Sequence, residues 1–165
     1  MPDWREQYQR MRRARARLNS EWNGHAKRPD GLEHVRDAFY HFFQDCYHMV
    51  DWLGNDPSQP IRHPEADKFV MASTALWTCH ELCQGSKHAR LEPKGIKALR
   101  PEQQVISRLP FVDASGKELA AVVFTAMEMT VVRSAGNVNA FDLADECTAE
   151  WDRFLSSRGL VLPPQ

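Results

Sequence analysis

The residue pattern predicts an α+β fold that is mainly helical, with a long antiparallel helical hairpin in a four-helix bundle-like core and a small antiparallel β-sheet in the C-terminal half. Three observations predict it. Apolar residues recur at three- and four-residue spacing through most of residues 1–90. A β-branched run, AAVVFTAMEMTVV at 120–132, lies between turn signals. Helical spacing then returns after Asp142.

The first helix is expected over residues 3–22, where Trp4, Tyr8, Met11, Leu18 and Trp22 share one stripe. Its other face carries Arg10, Arg12, Arg13, Arg15 and Arg17, which suits either a phosphate-facing ridge or a solvated surface. The stretch NGHAKRPDG at 23–31 breaks the helix with turn residues and a proline. A second helix follows over 32–53 on the stripe Leu32, Val35, Phe39, Phe42, Cys46, Met49 and Leu53, widened by Phe43, Tyr47 and Val50. The loop GNDPSQPIRHP at 54–64 leads into a third helix running to about Gln84. Pro64 stands at its first position, and Glu65 and Asp67 complement the dipole. Two long amphipathic helices joined by so short a loop predict the antiparallel hairpin. Residues 91–101 form a connector. Strands are expected at 105–112 and 117–133, with turns at DASG (113–116) and SAGN (134–137). Asp142 is the expected N-cap of a last helix to about Ser157, with Leu143, Cys147, Trp151, Phe154 and Leu155 inward. With no internal repeat, the 165 residues are read as a single domain, helical over 1–90 and β-hairpin plus helix over 100–165.

Composition narrows the function. The net charge of −1 gives no global positive field, so nucleic-acid contact would rest on a local patch. No apolar run approaches the roughly 20 residues that span a bilayer, and no secretory signal is legible at the N-terminus. Four cysteines inside helical patterns read as reduced thiols in a cytoplasm, with no membrane partner. Nucleotide-binding and nucleophile-elbow motifs are absent, and no cofactor is expected.

The candidate chemistry gathers on the hairpin. His34, His41 and His48 repeat every seven residues, with Asp37 and Asp45 on the same side. A turn centred on Ser58 and Gln59 would set His41 opposite Trp77, Asp37 opposite Glu81 and His34 opposite Gln84. That places these residues near CHELCQGSKH at 79–88, where His80, Ser86, Lys87 and His88 supply bases, a hydroxyl and a cation. Ser86-Lys87-His88 suits a phosphate grip with an acid–base imidazole, or simply a helix C-cap with basic residues answering the dipole. The metal alternative uses Cys79 and Cys83, one helical turn apart, with Cys46 or His48 completing the set.

The end of the third helix resembles HEPN-type domains, helical bundles of prokaryotic toxins and defence ribonucleases whose motif is an arginine, often followed by a polar residue, and a histidine four to six residues further on. Here Gln84 fills the polar position and His88 the histidine, while Cys83 stands where the arginine belongs. The resemblance covers the first three helices and the last one. It implies an RNA-binding protein or metal-independent endoribonuclease that acts as a homodimer. It implies His88 as general acid or base, Lys87 and Ser86 on the phosphate, and His41 or His80 as a second proton-transfer group. Arg90, Arg13, His34 and Asp37 would then contact RNA. Without the arginine fork, the same bundle is expected as a non-catalytic binding or assembly module, meeting a second copy or another protein.

Overall fold

The computed structural model describes residues 3–86, 105–113, 115–125, 128–133 and 136–164. Its order is α1 (Trp4–Gly24), a 3-10 turn (His25–Lys27), α2 (Gly31–Asn55), α3 (His63–Ala72), α4 (Thr74–Ser86), β1 (Val105–Val112), β2 (Glu118–Thr125), β3 (Met129–Arg133), β4 (Val138–Asn139) and α5 (Ala140–Ser157). The fold is α+β and mainly helical, as the sequence predicts. Two compact units result: one of Met1–His80 with Ala144–Gln165, the other of Glu81–Leu143. The last helix thus groups with the N-terminal helices, not with the strands that precede it.

In the first unit α1 and α2 are antiparallel. The first turn of α1 meets the C-terminal half of α2: the Gln7 amide donates to the Asp45 carbonyl at 2.7 Å, and the Trp4 N–H donates to the Asp56 carboxylate just past the end of α2 at 3.1 Å. Asp3 caps α1 by accepting from the Arg5 N–H. Most of the predicted stripe is the core: Trp4, Tyr8, Met11 and Leu18 from α1 and Val35, Phe39, Phe42, Cys46, Met49 and Leu53 from α2 are fully or almost fully buried, while Trp22 and Leu32, expected on the same stripes, are only half-buried. Aromatic side chains of this size each remove about 150–250 Å² from water, which makes this seam the main source of cohesion.

The expected third helix is two helices. Ser73 is extended (φ −98°, ψ 121°), and its hydroxyl accepts from the Leu76 N–H at 3.3 Å, so it closes α3 and caps α4. Both segments run antiparallel to α5: Glu65 pairs with Arg158, Phe69 stacks on Phe154 at 4.2 Å, and the Cys147 thiol donates to the Ala75 carbonyl. Partners' numbers sum to 222 or 223 along the whole line, so the break changes direction little. Against α2 the register differs from expectation by about a turn, since the Cys79 thiol meets the Phe43 carbonyl and the His80 ring lies 4.9 Å from Tyr47. The cause lies in the loop. Gln59 is buried and its side chain bonds the loop's own backbone, so the loop is an ordered element in its own right and the pairing centres beyond Ser58 and Gln59, at Ile61 or later.

The second unit holds an antiparallel sheet of order β1-β2-β3-β4. Val122 of the inner strand β2 pairs with Leu109 on one side and Val131 on the other. Asp113 builds the predicted turn, its carboxylate accepting from the Ser115 and Lys117 N–H groups, with Gly116 at φ 85°. The segment read as one strand to residue 133 is two, and Ala120, Ala121 and Val122 are all buried in succession, which hides the period-two alternation. Asn139, not Asp142, caps α5, its side-chain oxygen accepting from the Phe141 N–H at 2.8 Å. Among the described residues, no helix is long and apolar enough to cross a membrane.

Candidate functional site

The α2 histidines do share a face, but it is the outer one. Each of His34, His41 and His48 precedes a buried stripe residue (Val35, Phe42, Met49), and one residue is 100° of helix, enough to swing the ring out of the core. His41 and His48 are exposed. His34 binds Asp30 at 3.1 Å, one turn away, and holds that carboxyl below its usual range through this hydrogen bond. Asp37 is exposed and lies 3.9 Å from Arg36. His80 sits elsewhere, its ring between Tyr47 and Trp77, with centroids 4.9 and 4.8 Å away. Lys87, His88 and Arg90 lie outside the described residues, as does the Ser86 side chain.

The arginine face of α1 is consumed by pairing. Arg15 forks onto Asp145 of α5, with nitrogen–oxygen distances of 2.8 and 3.0 Å, and also donates to Asn19. Arg12 reaches Asp152, which also accepts from the Tyr8 hydroxyl at 2.7 Å. Burial, and then the Asp152 hydrogen bond and charge, push Tyr8 up to about 12. Arg5, Arg10 and Arg17 pair with Asp3, Glu6 and Glu21. Arg13 is exposed and alone among the α1 arginines makes no ion pair within the described residues.

One tight constellation of ligand-type atoms emerges in the core. Cys46 of α2, Cys79 of α4 and Cys147 of α5 are free thiols, essentially unexposed, with sulfurs all within 4.8 Å of one another. Of the expected set Cys46, Cys79 and Cys83, the first two lie in this cluster. Cys83 lies a turn further along α4 and is not part of the group. The Cys79 thiol donates to the Phe43 carbonyl at 3.3 Å, the Cys147 thiol to the Ala75 carbonyl at 3.4 Å, and the Trp151 indole to the Cys46 carbonyl at 3.1 Å. Burial pushes Cys79 and Cys147 well up, and contact with the Cys46 sulfur pushes them further. Burial opposes ionisation of Cys46 as well. Its contacts with Cys147, Cys79 and Trp151 outweigh burial, so of these three thiols Cys46 is the one held below its ordinary value. Cys147 appears in the sequence only as part of an amphipathic stripe, and nothing at that level pairs it with residues 68 and 101 positions away.

Beside this cluster runs an open groove of about 710 Å³ between α3, α4 and α5, floored by Phe69, Ala72, Ala75 and Ala149. It continues past Phe154 toward Lys68 and Arg158. Charged groups alternate along the two segments: Glu65, Glu146 and Glu150 against Lys68, Arg153 and Arg158, a sum of zero. Met71 on α3 and Trp77 on α4 are exposed, at 68% and 39%. In comparisons with known proteins, the chain matches no family model, no curated protein and no solved structure.

Proposed function

We propose that the chain is a non-catalytic assembly module that pairs with a second copy of itself through the α3–α4–α5 face. The observation that carries this is the neutralised arginine face of α1. A nucleic-acid backbone is held by cations that release counterions, and here five of six such cations already have carboxylate partners. The remaining surface with binding character is the apolar, charge-balanced groove floored by Phe69, Ala72, Ala75 and Ala149. A second copy suits it because the net charge of −1 offers almost no repulsion between copies. Across a two-fold axis, a rim with equal numbers of acids and bases complements itself. A reducing, cytoplasmic setting fits the four free thiols.

Sedimentation velocity of the full chain over a wide concentration range tests the reading, with an Ala72→Glu/Ala149→Glu variant of two exposed groove residues alongside. Reversible dimers are expected, and the variant should weaken them at least about tenfold, the scale of one lost interface contact. A chain that stays monomeric throughout refutes self-assembly. The competing ribonuclease proposal, resting on Lys87 and His88, predicts RNA cleavage in chelator that His88→Ala abolishes. We expect none, and cleavage of that kind would replace the assembly reading.

A further inference from the structure

We propose that Cys46, Cys79 and Cys147 form a three-coordinate thiolate site for a soft monovalent metal ion, Cu(I). The inference is independent of self-assembly, since it concerns the interior of the first unit.

Geometry is the first support. Metal–thiolate bonds of about 2.3 Å in a trigonal plane place the sulfurs about 4.0 Å apart. The three sulfurs already lie within 4.8 Å of one another, so sub-ångström adjustments of χ1 would close the site. Three separate helices supply the donors, and each is positioned by a named contact: Cys79 by Phe43, Cys147 by Ala75, and the Cys46 backbone by the Trp151 indole. Such outer contacts hold ligands in place before an ion arrives.

Donor number and type choose the ion. Structural zinc takes four ligands, and no fourth histidine, cysteine or carboxylate joins this group among the described residues. Calcium and magnesium need oxygen ligands, and none is offered here. Thiolates alone, three in number and shielded from water, match the preference of Cu(I) for soft sulfur at low coordination. Binding is ligand exchange without electron transfer. As Cu–S bonds form, S–H bonds break and the protons pass to solvent, while copper enters and remains as Cu(I). The bound Cu(I) cancels one of the three thiolate charges, so the loaded site carries a formal charge of −2.

The groove supplies a route. Ala75 both lines it and accepts the Cys147 thiol proton, so the groove floor is one residue layer from the sulfurs. Glu146 lies at its wall, where it would draw a cation inward, while Glu150 is paired with Arg153, and the non-helical Ser73 junction borders the same opening.

The test is anaerobic titration of the reduced full chain with Cu(I), in competition with a chromogenic Cu(I) chelator, followed by X-ray absorption at the copper edge. We expect one Cu(I) per chain and three sulfur neighbours at about 2.3 Å with no nitrogen or oxygen. Cys83→Ala should leave both unchanged, while Cys147→Ala should weaken binding about a hundredfold or more, because a site of two sulfurs is left. Should Cys147→Ala fail to fold, the coordination shell of the native chain still decides. Absence of stoichiometric uptake, nitrogen or oxygen in the shell, loss of binding in Cys83→Ala, or Zn(II) displacing Cu(I) would each overturn the assignment.

Discussion

Gln59 offers the sharpest test of how the first unit is held. Its side chain is 4% exposed and lies inside the α2–α3 loop. The amide nitrogen reaches the carbonyls of Leu53, Asp56 (3.2 Å) and Ile61 (2.9 Å), and the amide oxygen accepts the Ile61 N–H at 2.6 Å. One side chain thus satisfies most of the buried backbone in the turn. Gln59→Ala strips an N–H and two or three carbonyls of partners, each costing about 1–3 kcal/mol if left dry. Ser58 and Pro60 on either side are exposed, so water re-satisfies part of the loss, and the expected net cost is about 2–4 kcal/mol. Urea unfolding followed by tryptophan fluorescence is a clean assay, because all five tryptophans (Trp4, Trp22, Trp52, Trp77 and Trp151) belong to the first unit. Gln59→Glu adds a sign test. A carboxylate cannot donate to three carbonyls, so the introduced acid has a folded pKa above its unfolded value of about 4.3. The native state then holds the proton more tightly than the unfolded chain does. The variant's deficit should therefore grow as pH rises from about 4.3 through the raised folded pKa, and shrink on acidification. A loss below about 0.5 kcal/mol for the alanine variant, or a glutamate deficit flat in pH, would refute the account of the loop.

Three further outcomes are expected. His63 is gripped by Asp67 at 2.8 Å and Asp51 at 3.1 Å, and the Asp51 hydrogen bond leads in raising its pKa. Its contribution is therefore full below about pH 6.5 and lost as pH rises through the raised value. Because the ring is 46% exposed, the gap in urea-derived stability between native chain and His63→Ala should stay within about 0.5–1 kcal/mol and close toward pH 9. Ser73→Ala removes the α4 cap and should cost about 1 kcal/mol with an unchanged urea m-value. Gly31→Ala drives a Cβ into the His25 backbone carbonyl, so the 3-10 turn must yield; the melting temperature should fall, whereas Gly24→Ala, with open space around it, should not lower it.

Most helices were legible because a buried stripe leaves its mark at three- and four-residue spacing. Trp4, Tyr8 and Met11, or Phe39, Phe42 and Cys46, announce their burial in the order of residues alone. Ser73 was not legible, since Phe69, Val70 and Leu76 keep a helical rhythm across one extended residue, and only the Ser-Thr pair hinted at a cap. The outward turn of His34, His41 and His48 was readable in principle, because each is one residue out of phase with the stripe; a shared face was recognised, but not which way it points. The thiol trio was beyond reach, because its third member depends on α5 packing beside α2 and α4, a tertiary fact with no local trace. Likewise, arginines that look like a ridge in sequence are matched by Asp145 and Asp152, more than 100 residues away.

The grouping of the last helix with the first eighty residues bears on synthesis. A ribosome releases the chain from its N-terminus, so α1 to α3 emerge with their apolar seams exposed while Trp151, Phe154 and Leu155 are still untranslated. The Tyr8–Asp152 and Trp151–Cys46 bonds span 144 and 105 residues, and their loop closure must wait until α5 has been translated. During that interval the nascent helices are sticky and incomplete, so truncation before α5 should yield a chaperone-bound or aggregated product instead of a smaller folded one.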